Sequence, residues 1–178
     1  MIITYFVHST TINNEAKIAS GWENSKLSEK GLKQARELRD LVQTRFDIVW
    51  ASDLDRAIET ASIAFAPVCI KTDWRLREIN YGKLNGTPSA IVKQDLTKYI
   101  QEPFPDGESY CDVAKRMLEF LQELKRDYSQ KSVAIVGHQA PQFALDVLLK
   151  HKSWEQAFQE DWRHTHSWQP GWTYEVSL

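Results

Sequence analysis

The chain has 178 residues, 42% of them hydrophobic, with 7 Trp, 6 Tyr and 7 Phe, enough apolar bulk for one sizeable core and a single domain spanning 1–178. Its 22 basic and 24 acidic side chains give a formal net charge of -2 and are mixed along the whole length, a pattern that points to neither a nucleic-acid groove nor a membrane patch. No apolar run approaches the roughly 18 residues needed to span a bilayer, and the N-terminus lacks the basic region and apolar core of an export signal, so a cytoplasmic location is expected. The two cysteines, Cys69 and Cys111, stand outside any CxxC or Cys/His pattern and are expected to be reduced packing residues.

The first predicted element is the apolar run IITYFV, from Ile2 to Val7, which reads as a strand covered on both faces. Ser28 then caps a predicted helix whose apolar face is Leu32, Ala35, Leu38, Leu41 and Val42, with Glu29 in its first turn. A second strand is DIVWA, Asp47 to Ala51, followed by a helix from about Asp53 to Phe65 and a third strand, PVCIKT, Pro67 to Thr72. The stretch from Asn80 to Gln101 is less regular; a loop and short helix are expected there, forming a small lid around 80–105. Val113, Met117, Phe120, Leu121, Leu124 and Tyr128 make one helical stripe. SVAIVG, Ser132 to Gly137, is the fourth strand, and WQPGWTYEVSL, Trp168 to Leu178, reads as a turn and a final edge strand. Strands alternating with helices in this way predict an α/β fold, a three-layer α/β/α sandwich around a mostly parallel sheet. Four tryptophans, Trp154, Trp162, Trp168 and Trp172, fall near the end of the chain. Core and edge packing is the expected use for them, with a dimerisation patch as the alternative.

In such a sheet ligands bind beyond the carboxyl ends of the strands. The first strand ends at His8, followed by Ser9, Thr10, Thr11 and Asn14; the second leads into ASDLDRAIETA, which puts Arg56 in the first turn of a helix; the fourth ends at Gly137 and His138. A guanidinium at a positive helix end favours a phosphate or carboxylate. Glu78, in RLREINYGKLNG, follows a strand-like segment and precedes a glycine-bearing loop. A carboxyl group beside a bound anion holds its proton more tightly, as a general acid near neutral pH must. Taken singly, each has an ordinary reading: a hydrogen-bonded structural histidine, a solvated helix arginine, a surface carboxylate. What joins them is that all four follow successive sheet-forming segments. His151, His164 and His166 have no strand-end context, and the HTH stretch is only a faint metal signature.

Six segments, in order, resemble the histidine phosphatase superfamily, which also contains the cofactor-dependent phosphoglycerate mutases. VHSTTINN is similar to the family's Arg-His-Gly signature and following Asn, and LSEKGLKQARELRDLV to its first helix. WASDLDRAIETASIA resembles its Ser-x-Leu-x-Arg-Ala segment, and LREINYGKLNG its Leu-x-Glu segment with two spaced glycines. FPDGESYCDVAKRMLEFL resembles its Gly-Gly-Glu-Ser helix, and AIVGHQA the strand carrying its second histidine. The resemblance implies a phosphoglycerate mutase-like fold, phosphoryl transfer to His8 by in-line displacement, release to water, and no metal or other cofactor. Carried over by position, Arg56, Asn14 and His138 would hold the phosphoryl oxygens, and Glu78 would protonate the leaving oxygen. A neutral imidazole is a competent nucleophile at pH 7, and phosphoryl transfer needs chiefly positioning and charge stabilisation.

The chain departs from the family at the first signature. Val7 stands where the motif has arginine, Ser9 where it has glycine, and Thr10 where an acidic or amide residue is common; Gln139, Ala140 and Pro141 differ from the usual glycine-rich continuation. Loss of one donor acting in a transition state costs about 10²- to 10³-fold in rate, so reduced activity is one expectation, and Lys17, Arg75, Arg77 and Lys83 are the candidates to replace the charge. The leading expectation is a metal-independent phosphomonoester hydrolase acting on a small phosphorylated substrate. A mutase-type phosphoryl transferase and a catalytically impaired protein that binds a phosphorylated ligand or a partner are the alternatives.

Overall fold

The computed structural model describes residues 1–165 and 167–177. In chain order its elements are β1 (Ile2–Val7), α1 (Ile12–Glu15), β2 (Ile18–Ala19), α2 (Glu29–Leu41), β3 (Ile48–Ala51), α3 (Asp55–Phe65), β4 (Ile70–Thr72), β5 (Thr87–Pro88), α4 (Ser89–Val92), α5 (Tyr110–Tyr128), β6 (Val133–Gly137), α6 (Gln139–Lys150), α7 (Trp154–Gln159), α8 (Trp162–Thr165) and β7 (Trp172–Glu175), with short 3-10 turns at Trp74–Leu76, Gly82–Leu84 and Thr97–Tyr99. The main sheet has the order β4-β3-β6-β1-β7 and is parallel except for β7, the antiparallel edge.

The continuous apolar character of the central strands follows from burial on both faces. Ile3, Tyr5, Ile48, Val133 and Ile135 join a core with α5, α6 and α7, whereas Phe6, Val49, Ala51, Ala134 and Val136 join a second core with α2 and α3. Successive strand residues thus alternate between two helical layers, the three-layer α/β/α sandwich that the alternation of elements predicts. The stripe on α5 is buried from Val113 to Leu124, and Ser109 and Asp112 form a capping box at its start.

Several boundaries differ from the sequence reading. The third strand is only Ile70–Thr72, at the sheet edge, so Pro67 to Cys69 lie outside it. Cys69 is therefore exposed, and so is Cys111, on the outer side of the first turn of α5; neither is a packing residue. Leu41, expected on the buried face of α2, is 54% exposed: it is the last helical residue, and it is Leu38 and the capping Val42 that meet the core there. The segment before Glu78 is a 3-10 turn rather than a strand. Within 80–101 the chain forms a short β-bridge of β5 with β2 and the single turn α4.

Candidate active site

The register of β1 on β6 pairs Val7 with Gly137, so the next residues, His8 and His138, leave the sheet side by side. Their ring centroids are 4.9 Å apart. The His8 amide still donates to the Gly137 carbonyl at 3.0 Å, which fixes its backbone as the strand ends. The His8 Nδ1 donates to the Ser9 carbonyl at 2.8 Å; since a carbonyl can only accept, the proton is on Nδ1 and Nε2 keeps its lone pair. Desolvation, with a further push from Arg56 and Arg163, lowers the His8 pKa from 6.5 to about 3, so the ring is neutral at physiological pH. Thr60 braces this corner: its hydroxyl accepts from the Ser9 amide at 3.0 Å and donates to the Arg56 carbonyl at 2.7 Å, linking the loop after β1 to α3.

His138 is completely buried, and among the described residues neither ring nitrogen has a hydrogen-bond partner. Burial, then the charge of Arg56, hold it neutral. Its backbone is fixed by Tyr5, whose hydroxyl accepts from the His138 amide at 2.7 Å and donates to the His138 carbonyl at 2.8 Å. An unpartnered buried imidazole is costly unless something else meets it.

Glu78 meets the start of α6, directly after His138. Its carboxyl oxygens accept from the amides of Ile79 at 3.0 Å, Ala140 at 2.9 Å and Gln139 at 3.2 Å. An acidic group at the positive end of a helix is the favourable arrangement. Trp22 Nε1 and the Arg116 guanidinium both donate to the Glu78 carbonyl, at 2.7 and 3.0 Å, so the backbone beneath the carboxyl is held from two sides. Arg116 is itself paired with Glu108 at 2.9 Å, which ties the start of α5 to this loop.

Arg56 is buried in the first turn of α3, but its two terminal nitrogens donate to backbone carbonyls, Glu23 at 2.9 Å and Gly21 at 2.7 Å. Asn14 is exposed on α1, where its side-chain oxygen accepts from the Thr11 amide at 3.0 Å, completing a capping box. It lines a cavity of about 350 Å³ together with Val7, His8, Lys17, Glu78, Gln139 and Arg163. A second hollow of about 430 Å³, lined by Leu38, Leu41, Trp168, Pro170 and Trp172 among others, shares Val7, His8, Thr10 and Trp162 with the first.

The strand-end residues are therefore brought together, with His8 and Glu78 on the cavity wall and His138 buried beside His8. Of the four candidates for the charge absent at position 7, Lys17 alone reaches the cavity. Arg75 is taken up by Asp73 at 2.6 Å and Glu123 at 2.9 Å, Arg77 by Asp53 at 2.6 Å, and Lys83 by Asp106 at 2.9 Å. Sequence reasoning missed Tyr5, Thr60 and Arg163; for Tyr5 the one signal is a phenolic hydroxyl in a strand run that is apolar apart from Thr4. The tryptophans divide: Trp162 stacks on Trp172 with centroids 5.6 Å apart, Trp154 packs on Tyr110 and Phe158, and Trp168 is 53% exposed. His164 lies within α8 and His166 lies outside the described residues; among the described residues no three His, Cys, Asp or Glu side chains gather as a metal would need. No helix among them is long and apolar enough to cross a membrane.

Two imidazoles leaving adjacent parallel strands beside a carboxyl at a helix start define an α/β protein whose site is organised around strand-end histidines. The chain belongs to the histidine phosphatase superfamily (branch 1), whose pattern it matches over residues 5–169. A phosphoglycerate mutase from Candida albicans is 33% identical to it over 72% of this chain and 56% of the relative. Phosphoserine phosphatase 1 from Hydrogenobacter thermophilus is 34% identical over 69% of this chain and 64% of the relative. The matched region thus spans just over half to nearly two thirds of these two curated relatives' length. Among solved structures, a mycobacterial glucosyl-3-phosphoglycerate phosphatase is similar with a TM-score of 0.75 and 25% identity, covering 88% of this chain and 82% of that one.

Proposed function

We propose that the protein is a metal-independent phosphomonoester hydrolase working through a phosphohistidine at His8. The observation that carries this reading is the His8 tautomer: Nδ1–H is committed to the Ser9 carbonyl, leaving an unprotonated Nε2 on the ring that borders the cavity. In the first step Nε2 attacks phosphorus, the bond from phosphorus to the ester oxygen breaks, and that oxygen takes a proton from the Glu78 carboxyl. In the second step water attacks phosphorus, its proton passes to Glu78, and the nitrogen–phosphorus bond breaks to release phosphate.

His138 and Arg56 stabilise the transferring group from beneath His8, and Asn14 borders it from α1. Each role is supported by position: an unpartnered imidazole 4.9 Å from the His8 ring, a buried guanidinium whose charge acts on both rings, and a carboxamide on the same cavity wall. The segment around 80–105 supplies Ser89 and Lys93 to that wall, in keeping with a small lid over the non-phosphate part of a small substrate. The exposed free thiols of Cys69 and Cys111 suit a reducing, cytoplasmic compartment.

A mutase-type phosphoryl transferase is the second reading, favoured by the relative named as a phosphoglycerate mutase. Long retention of the phosphohistidine and stimulation by a bisphosphorylated sugar acid distinguish it from hydrolysis. The experiment is a screen of phosphomonoesters in the presence of a chelator, beside a His8→Ala control of matched purity, with acid quenching and mapping of the label. We expect an acid-labile phosphate on His8 and at least a thousandfold loss in the control. Label on serine, or unchanged turnover in His8→Ala, overturns the mechanism.

A further inference from the structure

Lys17 and Lys93 bring ammonium groups to the cavity beside His8 but no planar fork, and the buried Arg56 gives both terminal nitrogens to the carbonyls of Gly21 and Glu23. The position before His8 is Val7, which lines the cavity with no donor. Arg163, on the far end of the chain, lines the same cavity as Val7, His8, Glu78 and Gln139.

Its guanidinium is held by a chain of contacts that leads back to the site. Arg163 Nη1 and its backbone amide both donate to one oxygen of Asp161, at 2.8 and 3.1 Å. The Asp161 side chain is only 1% exposed, and its other oxygen accepts from the Gln139 side chain. The Gln139 amide in turn donates to Glu78 at 3.2 Å. The guanidinium also lies 4.2 Å over the Trp162 ring, and that indole donates to Gln142 of α6 at 3.2 Å. Arg163 Nε and Nη2 make no hydrogen bond to the described residues, so donors remain for a ligand.

Capping the single turn of α8 would need Asp161 alone. It would not need the carboxylate to be buried and tied to the residue after His138. A buried carboxylate that orients a partly exposed guanidinium at a cavity wall is how a planar two-pronged donor is preorganised for an anion.

We infer that Arg163 supplies the phosphate-binding guanidinium of this site, contacting the phosphoryl oxygens from the C-terminal segment where position 7 has only valine. The inference rests on the phosphohydrolase reading for the identity of the anion. Asp161 and Gln139 are positioning residues that hold the guanidinium toward His8.

The test is equilibrium binding of inorganic phosphate to the full chain and to Arg163→Gln and Arg163→Lys, with thermal unfolding of each and the KM and kcat of the same proteins. Loss of a charged two-pronged contact predicts about ten- to hundredfold weaker phosphate binding in Arg163→Gln. Arg163→Lys, which keeps the charge and loses the fork, should recover part of it, and KM should rise with little change in melting temperature. Phosphate bound equally well by wild type and Arg163→Gln, or not bound by wild type at millimolar concentration, overturns the assignment. If Arg163→Gln unfolds, Arg163→Lys decides alone, since wild-type affinity for phosphate there denies the fork any part. Phosphate binding that needs Arg163 in a protein without turnover or labelled His8 refutes the hydrolase and keeps the anion site. Turnover through His8 untouched by Arg163→Gln does the reverse.

Discussion

The Tyr5 hydroxyl is bonded to both backbone groups of His138, accepting from its amide at 2.7 Å and donating to its carbonyl at 2.8 Å. One side chain on β1 thereby sets where the chain leaves β6, and with it the direction of a buried imidazole. Tyr5→Phe leaves the buried His138 amide without a partner, while its carbonyl still accepts from the Gln142 amide at 3.3 Å, at about 1–3 kcal/mol for an unsatisfied group. A drop in unfolding free energy of that order, measured in denaturant, is expected together with reduced turnover. Unchanged stability and turnover would show that water or a neighbour replaces the hydroxyl.

Gly137 tests the same contact with the opposite sign from strand propensity. Glycine inside a strand is ordinarily less stable than alanine by roughly 0.5–1 kcal/mol. Here a Cβ on Gly137 would run into the Tyr5 hydroxyl and ring, so Gly137→Ala is expected to destabilise the protein and lower turnover. A thermal midpoint above wild type would contradict the rigidity assigned to Tyr5.

The pH dependence follows from His8, whose folded pKa is near 3 against an ordinary 6.5. Between those values the unfolded chain binds the proton and the folded one does not. Stability from this group is therefore fully present above about pH 6.5 and is lost as pH falls toward 3, with a slope of up to about 1.4 kcal/mol per pH unit. His138 shifts in the same direction and adds to the slope. His8→Gln should flatten the acid side of the stability profile, read from denaturant midpoints between pH 4 and 8. In kinetics, kcat/KM should show no loss of nucleophile near pH 6.5; an acid limb there that disappears when His8 is replaced would mean that the ring titrates normally.

Glu78→Gln separates two roles. If the carboxyl donates the leaving-group proton, the variant loses far more rate with alkyl phosphates than with aryl phosphates, whose oxyanions leave unaided. One carboxyl oxygen accepts from Ile79 and Ala140 and the other from Gln139, so a glutamine that keeps its oxygen toward the first two turns its NH₂ toward the Gln139 donor, and a stability loss of about 1–3 kcal/mol should accompany it. Equal rate losses for both leaving groups would assign Glu78 to holding the start of α6 and nothing more.

His8, Arg56, Glu78 and His138 were legible as candidates because each follows a segment whose apolar pattern marks a strand or its neighbourhood, and ligands of parallel sheets gather at strand ends. The central strands and the long helices were legible for the same local reason, since periods of two and of 3.6 residues report burial directly. The end of β4, the exposure of Leu41 and the surface position of both cysteines were not, because they depend on where the sheet stops. Tyr5 and Arg163 were beyond reach for a different reason. Tyr5 meets His138 across 133 positions of sequence, and Arg163 reaches the cavity of His8 only because Asp161, Gln139 and Trp162 pin a one-turn helix to α6. By itself, the sequence determined the layers, the family and the strand-end candidates, which are properties of neighbouring residues. The tertiary structure alone decided which tautomer His8 holds, that Arg56 is engaged by backbone carbonyls, and which distant guanidinium faces the cavity, since side-chain direction is set by partners that chain spacing does not encode.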